Sequence, residues 1–306
     1  MRNDRLDQRE KLQELFTQQG IRFVCDEPLA KHTTFKIGGP AALYCTPENT
    51  QQLALILRAC REAGVRRYLL GNGSNILFSD AGFDGVVVRL GSGFGSISVQ
   101  GGTITAGAGA LLSRLSQTAA GAGLTGLEFA VGIPGTVGGG IYMNAGAYGG
   151  ELRDVLTSVT ILDEEGREQI LPADRLELGY RTSIFSSRDW HIVQAQFDLK
   201  PGDAAASAER MKSIMASRKE KQPLEWPSAG STFKRPEGAF AAALIEQCGL
   251  KGYRVGGAAV SEKHSGFVVN LGGATCADVI RLTEDVARIV QERTGYRLER
   301  EVRVVA

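Results

Sequence analysis

Three polar residues of this chain have side chains that could take part in catalysis: Arg181 in GYRTSIF, Ser231 in PSAGSTFKRP and Glu301 in LEREVRVV. A guanidinium stabilises developing negative charge, and hydroxyl and carboxyl groups can transfer protons within hydrogen-bond reach. Each residue also has an ordinary explanation. Arg181 fits a surface loop and Ser231 a local turn bond. Glu301 could share a solvated strand face with Glu299 and Arg303. Singly, none of the three identifies a reaction.

Four basic residues surround the Ser231 loop, and they are Lys219, Lys221, Lys234 and Arg235. A charged cluster of this kind is usually solvated surface. Here it brackets a loop rich in proline and glycine, which favours a clamp for a phosphate or carboxylate group.

The segment Gly132–Gly150, GIPGTVGGGIYMNAGAYGG, holds eight glycines in nineteen residues. Its apolar side chains, among them Ile133, Val137 and Ile141, are unlike the serine and charged residues of a flexible linker. Glycine permits positive φ and close approach of the backbone to another group. This glycine-rich block is therefore predicted to be an ordered loop that closes around a large flat or phosphorylated ligand.

A second glycine-rich turn, GNGSN at Gly71–Asn75, follows an apolar strand predicted over Arg67–Leu70. Its successive N–H groups could form an anion-binding nest. Because Asn-Gly is also a common hairpin turn, the motif alone favours the hairpin turn over the nest.

Gly121, Gly123 and Gly126 match the G-x-G-x-x-G pattern of dinucleotide-binding loops. They end a predicted helix, whereas a Rossmann loop leaves a strand and opens a helix. A helix stop is therefore the better interpretation. Since the sequence has no Walker A motif either, a dinucleotide would be bound by another architecture.

The elements that must position these residues alternate between short helices and short strands. The predicted helices are Asp4–Gln19, Thr50–Glu62 with Thr50 as its cap, Leu111–Ala120, a helix after Asp203 to Lys221 with Met211, Ile214 and Met215 on its apolar face, Phe240–Cys248 and Thr275–Thr294. The predicted strands are Ala42–Cys45, Arg67–Leu70, Val86–Leu90, Ser96–Val99, Thr103–Ala106, Thr157–Leu162, Arg167–Leu171, Trp190–Leu199, Ala258–Val260, Phe267–Val269 and Arg297–Val305. The turn Glu164-Glu165-Gly166 predicts a hairpin. This order indicates an α+β chain with a boundary near residue 201.

Composition excludes several classes of protein. A chain of 306 residues suggests about two domains, and a net charge of +1 gives no reason to expect binding to nucleic acid or an anionic membrane. Five scattered cysteines, three histidines and no CxxC pair argue against a zinc site or a disulfide framework. The charged first residues are not a signal peptide, and no apolar stretch approaches the ~20 residues of a membrane span. We expect a cytoplasmic protein.

Seven segments, in order along nearly the whole chain, resemble one family, the UDP-N-acetylenolpyruvoylglucosamine reductases. Each segment is a weak signal singly, whereas the seven together are highly specific. They are TFKIGGPA from Thr34, LGNGSNIL, GIPGTVGGGIYMNAGAYG, YRTSIF, AGSTFKRP, LKGYRVGGAAVSEKHSGFVVN and LEREVRVV.

The resemblance implies a vanillyl-alcohol-oxidase-like (PCMH-type) FAD-binding fold. Residues 1–90 and 91–201 would form two FAD-binding subdomains, and 202–306 a substrate-binding C-terminal α+β domain, with the final strand 297–305 near the first subdomain. FAD would be held noncovalently, NADPH would be a co-substrate, and no metal is expected. The residues that the resemblance assigns to FAD are Gly71, Asn72, Gly73, Ser74, Asn75, Gly132, Ile133, Pro134, Gly135, Gly138, Asn144, Gly146 and Ala147.

The implied reaction reduces UDP-N-acetylglucosamine enolpyruvate to UDP-N-acetylmuramate, a peptidoglycan precursor. NADPH would reduce FAD, and flavin N5 would deliver hydride to C3 of the enolpyruvyl group. Arg181 would stabilise the resulting enolate, and Ser231 would give a proton to C2. Glu301 would hydrogen-bond the substrate carboxylate or organise the site. The residues assigned to the substrate are Tyr180, Lys221, Lys234 and Arg235.

One branch of the family inserts a tyrosine loop after the YR motif. Only eight residues separate Arg181 from Trp190, so the chain resembles the shorter type, and we expect a monomer. An oxidase of the same flavin fold acting on a sugar or alcohol is an alternative, although it would have no enolate to protonate. A flavin- or nucleotide-sugar-binding module without turnover is another, against which the three polar residues speak.

Overall fold

The computed structural model describes residues 2–306, with side chains from Gln8 onward. Its α-helices are α1 (Arg2–Gln18), α2 (Thr50–Glu62), α3 (Leu112–Gly121), α4 (Val137–Tyr142), α5 (Ala204–Lys221), α6 (Ala241–Gln247) and α7 (Cys276–Thr294). Its first ten strands are β1 (Arg22–Pro28), β2 (Pro40–Thr46), β3 (Arg67–Leu70), β4 (Ile76–Phe78), β5 (Phe83–Arg89), β6 (Ile97–Gln100), β7 (Thr103–Gly107), β8 (Leu124–Thr125), β9 (Gly146–Ala147) and β10 (Gly150–Glu151). The others are β11 (Leu156–Leu162), β12 (Glu168–Pro172), β13 (His191–Asp198), β14 (Lys200–Pro201), β15 (Ser228–Ser231), β16 (Arg254–Val255), β17 (Ala258–Val260), β18 (Phe267–Asn270) and β19 (Arg303–Val305).

The chain divides into two compact units, each made of several segments. Unit 1 comprises the chain up to Cys25, Leu43–Gly71 and Gly85–Ala216, and unit 2 comprises Asp26–Ala42, Asn72–Asp84 and Ser217–Ala306. The division into 1–90, 91–201 and 202–306 stays a prediction. Among residues 2–306, no helix combines the length and the apolar composition that crossing a bilayer would require.

Unit 1 is built on a five-stranded antiparallel sheet with the strand order β12-β11-β13-β7-β6. Helices α3 and α4 pack on this sheet. The core between them includes Ile104, Leu115, Ile141 and Phe197, all fully buried. The hairpin predicted at Glu164-Glu165-Gly166 is confirmed, since β11 and β12 pair antiparallel on either side of it.

A second core of unit 1 joins α1 and α2 to the strands β3 and β5, which pair in parallel. Phe16, Leu53, Ile56 and Val86 are among its fully buried side chains. Burial of such large apolar groups is the main favourable term in folding. Strand β3 is thereby fixed, and it leads directly into Gly71, the first residue of GNGSN.

Helix α2 begins after Asn49, whose side-chain oxygen accepts a hydrogen bond from the Gln52 N–H at 2.9 Å. The predicted cap, Thr50, is wrong, because Thr50 is the first helical residue. Adjacent Asn and Thr are both good caps, so residue type alone does not decide between them. Leu53 and Cys60 of this helix face the core, as both are fully buried.

The apolar face predicted for α5 is only partly right. Ile214 is buried, and Met211 packs towards α3, with its sulfur 3.2 Å from the Ser116 hydroxyl oxygen. Met215, however, is 42% exposed. The buried residues of α5, Ser207 and Ile214, share one face of the helix. Successive helical residues are rotated by about 100°, so Met215 lies at the edge of that face although it has the i+4 spacing from Met211.

Helix α3 ends at Gly121, and Gly123 and Gly126 follow it with φ of +69° and +123°. These glycines lead into the short strand β8 and open no helix. The interpretation of the G-x-G-x-x-G match as a helix stop is therefore confirmed.

Unit 2 contains a four-stranded antiparallel sheet in the order β15-β18-β17-β16, and its core includes residues of α6 and α7. Helix α7 starts at a capping box formed by Thr275 and Asp278. The N–H groups of Cys276 and Ala277 also donate to the carboxylate of Asp80, at 2.7 and 3.0 Å. Asp80 follows β4 closely, so the start of α7 is tied to the segment that leaves the GNGSN turn.

Candidate active site

The glycine-rich block is more regular than the predicted loop, because its centre forms the short helix α4. Thr136 caps this helix, with its hydroxyl oxygen 3.3 Å from the Gly139 nitrogen. A Cβ on Gly140 would lie 2.9 and 3.0 Å from methyl carbons of Leu112 and Leu152. Some glycines of the block therefore serve close packing inside unit 1.

Two backbone N–H groups of the block are available to a ligand. Gly135 is buried, and within residues 2–306 neither its N–H nor that of Thr136 donates to an acceptor. Gly71 lies beside them, since a Cβ there would come within 2.8 Å of the Thr136 hydroxyl oxygen. The N–H of Gly138, by contrast, donates to the Ala108 carbonyl at 2.9 Å. A buried N–H needs an acceptor, and a bound group could supply it.

In unit 2, the rest of the GNGSN turn offers a similar pair of donors. Gly73 is buried with φ +63°, and a Cβ there would overlap the His32 carbonyl oxygen. In the described part of the chain, the N–H groups of Gly73 and Ser74 donate to no acceptor. Successive free amides suit the oxygens of a phosphate group. The donor set therefore fits the pyrophosphate of FAD.

The other residues predicted to bind FAD flank these donors. In the block, Gly132 and Ile133 are half-buried and Pro134 is exposed, while Gly146 and Ala147 form β9. The hairpin of β9 and β10 turns through Tyr148, which has φ +50° and is exposed. The block thus has an anchored centre, followed by a hairpin whose turn is exposed.

Arg181 lies in a tight turn of unit 1. Gly179 and Thr182 exchange backbone hydrogen bonds of 3.1 and 3.4 Å across the turn, and Arg181 has φ +56°, which is uncommon for a residue with a Cβ. Its Nη2 donates to the Gly146 carbonyl at 3.4 Å, and its guanidinium lies 5.1 Å from the centroid of the Tyr180 ring. The guanidinium is therefore directed to the glycine-rich block, beside an exposed aromatic ring.

Asn144 connects the block to this turn. The residue is fully buried with φ +40°. Its Nδ2 donates to the Gly179 carbonyl at 3.1 Å and to the Glu151 carboxylate at 2.9 Å, and its Oδ1 accepts the Arg153 N–H at 3.0 Å. Sequence reasoning placed Asn144 with the cofactor and gave Glu151 no role. No local pattern links Asn144 to Gly179, which is 35 positions away.

Ser231 and Glu301 belong to neighbouring segments of unit 2. Ser231 ends β15 and pairs with Phe267 in the β15–β18 ladder. The Glu301 N–H donates to the Thr232 carbonyl at 2.8 Å, and Phe233 forms a bridge with the residue before Glu301. Glu301 is therefore held next to the residue that follows Ser231. Their neighbourhood could not be read from sequence, but it follows from this pairing.

The GNGSN turn lies against the same segment. The Asn75 side chain donates to the Glu301 carbonyl at 3.2 Å, and the Arg303 N–H donates to the Asn75 carbonyl at 3.1 Å. Strand β3 pairs with β5 and strand β4 with β19, so the hairpin interpretation of GNGSN is wrong. The strand predicted over Arg297–Val305 forms only at its end, as β19, because the residues before it pair through a single bridge.

Thr34 joins the GNGSN turn to the strand of Ser231, and its role was missed. Its N–H donates to the Gly73 carbonyl at 3.1 Å, and its hydroxyl donates to the Ser228 carbonyl at 2.7 Å. Asn270 anchors the same loop by donating to the Phe35 carbonyl at 3.1 Å. The only sequence signal for Thr34 was its place at the start of TFKIGGPA.

The basic residues predicted to bind substrate flank Ser231 along the chain. Lys234 pairs with Glu299 at 2.5 Å, and Arg235 lies 4.5 Å from the ring centroid of Phe240, which is 60% exposed. Lys221 is the exposed last residue of α5. No group of three or more His, Cys, Asp or Glu residues in the described part of the chain is arranged to hold a metal ion.

Comparisons with known proteins agree with this arrangement. Residues 41–171 match the family model described as FAD binding domain, and residues 222–305 match the model of the C-terminal domain of UDP-N-acetylenolpyruvoylglucosamine reductase. The chain is 47% identical over 288 residues to the UDP-N-acetylenolpyruvoylglucosamine reductase of Lachnoclostridium phytofermentans, with 93% of each chain covered. It is 45% identical to that of Clostridium perfringens, with 96% of each covered.

A solved structure supports the same relationship. The UDP-N-acetylenolpyruvylglucosamine reductase of Thermus caldophilus superposes with a TM-score of 0.80 at 37% identity, covering 94% of this chain and 99% of that chain. The predicted α+β fold class is confirmed, with an FAD-binding region and a C-terminal reductase domain. The chain belongs to the UDP-N-acetylenolpyruvoylglucosamine reductase family of FAD-binding oxidoreductases.

Proposed function

We propose that this chain reduces UDP-N-acetylglucosamine enolpyruvate to UDP-N-acetylmuramate, with NADPH as the reductant, in the synthesis of peptidoglycan precursors. The observation that carries the proposal is the backbone pairing in unit 2 between the Ser231 segment and the Glu301 segment, 2.8 Å from the Glu301 nitrogen to the Thr232 oxygen. This pairing keeps a hydroxyl and a carboxyl residue on adjacent segments. The substrate class follows from the relatives, which are UDP-N-acetylenolpyruvoylglucosamine reductases.

The cofactor is held by the glycine-rich amides. The N–H groups of Gly135 and Thr136, beside Gly71, would donate to pyrophosphate oxygens. In unit 2, the N–H groups of Gly73 and Ser74 form a second pair of donors suited to phosphate oxygens. The half-buried strand Gly146–Ala147 and the segment from Gly132 to Pro134 would line the flavin. FAD, when bound, supplies hydride derived from NADPH to C3 of the enolpyruvyl group.

The three polar residues act on the charge that hydride addition leaves on C2 and its carboxylate. Arg181 stabilises this charge with its guanidinium. Ser231 donates its hydroxyl proton to C2, which the weak acidity of serine allows only when a strongly basic carbon lies within hydrogen-bond reach. Glu301 hydrogen-bonds the substrate carboxylate or organises the residues around it.

The nucleotide part of the substrate meets the basic residues near Ser231. Lys221, Lys234 and Arg235 bind its diphosphate through charge-assisted hydrogen bonds, and the exposed ring of Tyr180 packs on the substrate beside Arg181. We further propose that the enzyme works as a cytoplasmic monomer without the inserted tyrosine loop. Light scattering of the purified enzyme would measure its mass in solution.

Two half-reactions test the function. Under anaerobic conditions, NADPH should bleach the flavin absorbance in the first half-reaction, and the enolpyruvyl nucleotide should restore it in the second. Reoxidation by oxygen alone would instead favour an oxidase of the same fold. A protein that binds FAD and the nucleotide but never bleaches with NADPH would be a binding module. A colourless protein that takes up no FAD would contradict the flavoenzyme function altogether.

A further inference from the structure

The Arg181 turn is attached to the glycine-rich block at three alternate positions. The Ser183 hydroxyl donates to the Tyr142 carbonyl at 2.7 Å. Asn144 donates to the Gly179 carbonyl at 3.1 Å, and Arg181 itself donates to the Gly146 carbonyl at 3.4 Å. The segment from residue 142 to residue 146 therefore holds both ends of the turn as well as its functional side chain.

Asn144 is the central contact of this attachment, and it is built to be rigid. The side chain is fully buried, and both its Nδ2 hydrogens and its Oδ1 have partners. Glu151 accepts one of the hydrogens and is itself fixed, because its N–H donates to Asp154 at 3.0 Å and its carboxylate pairs with the Arg153 side chain. A buried amide with every partner present allows few alternative arrangements.

The contact that matters for Arg181 is the one to Gly179. The left-handed backbone of Arg181 is a sparsely populated conformation that surrounding structure must hold in place. The Gly179 carbonyl that Asn144 binds also accepts the Thr182 N–H, which closes the turn. Asn144 therefore fixes one of the two carbonyls whose hydrogen bonds close the turn.

We propose that Asn144 is a positioning residue for Arg181, and that its side chain sets the guanidinium in place rather than binding the cofactor. The inference rests on the proposed function, since it concerns the half-reaction in which Arg181 stabilises negative charge. A displacement of about 1 Å at a catalytic group can cost about 10²-fold in rate. Loss of the Asn144 contact should therefore slow the second half-reaction and leave the first unchanged.

The test variant is Asn144→Asp in the FAD-loaded enzyme. It keeps the size of the side chain and the oxygen that accepts the Arg153 N–H, but an oxygen replaces the donor to Gly179 and Glu151. Asn144→Gly is a second variant, because glycine retains the positive φ while the side chain is removed. Arg153→Ala is the matched control: it removes the exposed ion pair to Glu151 but keeps the backbone N–H that Asn144 accepts.

We expect both Asn144 variants to bind FAD as wild type does, to be reduced by NADPH at the wild-type rate, and to be reoxidised by the enolpyruvyl nucleotide about 10- to 100-fold more slowly. Arg153→Ala should match wild type in both steps. In an Arg181→Ala background, Asn144→Asp should cause no further loss, because the two residues act as one unit. If the rate losses of Asn144→Asp and Arg181→Ala multiply in the double variant, the inference is overturned.

Hydrogen exchange provides a readout that does not depend on activity. The amides of Gly179 and Thr182 are protected by their mutual bonds, and both Asn144 variants should exchange them faster while Arg153→Ala leaves them unchanged. Unchanged exchange in the variants, or loss of FAD from them, would overturn the positioning role. If the wild-type enzyme itself fails to be reoxidised by the nucleotide, the proposed function fails instead, and the exchange result still reports on the turn.

Discussion

At the scale of single residues, Ser231 is held by backbone on two sides. Strand β18 fixes it through Phe267, and the Glu301 segment fixes the next residue, Thr232, through a 2.8 Å hydrogen bond. Thr232 is itself buried, and its hydroxyl oxygen accepts the Val268 N–H at 2.9 Å. A hydroxyl that must deliver a proton to one carbon gains from such fixed placement, because orientation lowers the entropic part of the barrier.

Replacing Ser231 with Ala should therefore slow the second half-reaction by about 10²- to 10⁴-fold, the range that a positioned general acid contributes. Bleaching of the flavin by NADPH should stay near the wild-type rate. Both steps can be followed by anaerobic stopped-flow absorbance. Ser228→Ala, in the same strand, is the control and should leave both steps unchanged. Equal slowing of the two steps in Ser231→Ala would remove Ser231 from the role of proton donor.

At the scale of elements, helix α4 forms within a stretch of glycines because burial of its apolar side chains compensates for the low helix propensity of glycine. Glycine costs about 1 kcal/mol relative to alanine inside a helix. The apolar residues Val137 and Ile141 are fully buried in the core of unit 1, and Thr136 supplies the cap. The position of Gly140 against Leu112 shows why a larger residue is not used there.

Separate substitution of Gly139 and Gly140 by alanine should distinguish the effect of side-chain packing on stability from that of helix propensity. In Gly140→Ala the new methyl would lie 2.9 and 3.0 Å from methyl carbons of Leu112 and Leu152. We expect the free energy of unfolding to fall by about 1–3 kcal/mol, as for overpacked cores. In Gly139→Ala the methyl would meet only the Thr136 hydroxyl oxygen, at 3.3 Å. That variant should be neutral or up to about 1 kcal/mol more stable.

Urea denaturation with and without added FAD measures both variants. If Gly140→Ala is as stable as Gly139→Ala, then Leu112 and Leu152 can move to accept the methyl group, and Gly140 is not required for packing.

Elements with local signals could be predicted from sequence. The start of α7 near Thr275, the hairpin turn ending at Gly166 and the helix stop at Gly121 each depend on residues within a few positions. Helix α4 could not, because its glycines disfavour a helix and its stability comes from burial. The predicted strand from Arg297 was too long because alternation indicates extended backbone but not a partner strand.

The candidate site divides in the same way. The residue types Arg181, Ser231 and Glu301 and their motifs could be selected from sequence through family resemblance. The contacts that hold them could not, because Asn144 binds Gly179 and Asn75 binds Glu301 across 35 and 226 positions. Such pairings depend on how the chain folds back on itself, which short patterns do not encode.

At the scale of the whole molecule, one buried carboxylate links distant parts of unit 1. Glu128 is 4% exposed and accepts hydrogen bonds from Ser207 at 2.6 Å, Thr125 at 2.7 Å and the Gly126 N–H at 3.0 Å. Burial opposes ionisation of this group, but the hydrogen bonds from Ser207, Thr125 and the backbone outweigh it and lower the pKa of Glu128 to about 2. The first turn of α5 is thereby tied to the segment after β8.

The Glu128 carboxylate should make the free energy of unfolding depend on pH in the acidic range. Because its pKa is lower in the folded chain than in the unfolded one, its contribution is complete above about pH 4.5 and is lost as the pH falls towards 2. Glu128→Gln should lower the free energy of unfolding at pH 7 by about 1–3 kcal/mol, and its difference from wild type should shrink between about pH 4.5 and pH 2.

Urea denaturation at several pH values measures this dependence. Glu62→Gln, which removes the same charge from an exposed position of α2, should differ little from wild type at any pH. If the difference in the free energy of unfolding between Glu128→Gln and wild type stays constant down to pH 2, the low pKa of Glu128 is not the source of the acid dependence.

The pairing of β4 with β19 has a consequence for folding during synthesis on the ribosome. Asn75, next to β4, contacts Glu301, which is 226 residues away, just before β19. A ribosome adds roughly 5–20 residues per second, so β4 is exposed for roughly 10–45 seconds before its partner strand is made. Leu77 and Phe78 are both buried in the folded chain. Throughout that interval they lie on an unpaired strand edge, to which other unfolded chains can bind. Unit 2, which carries Ser231 and Glu301, therefore cannot complete this pairing until the residues of β19 have been synthesised.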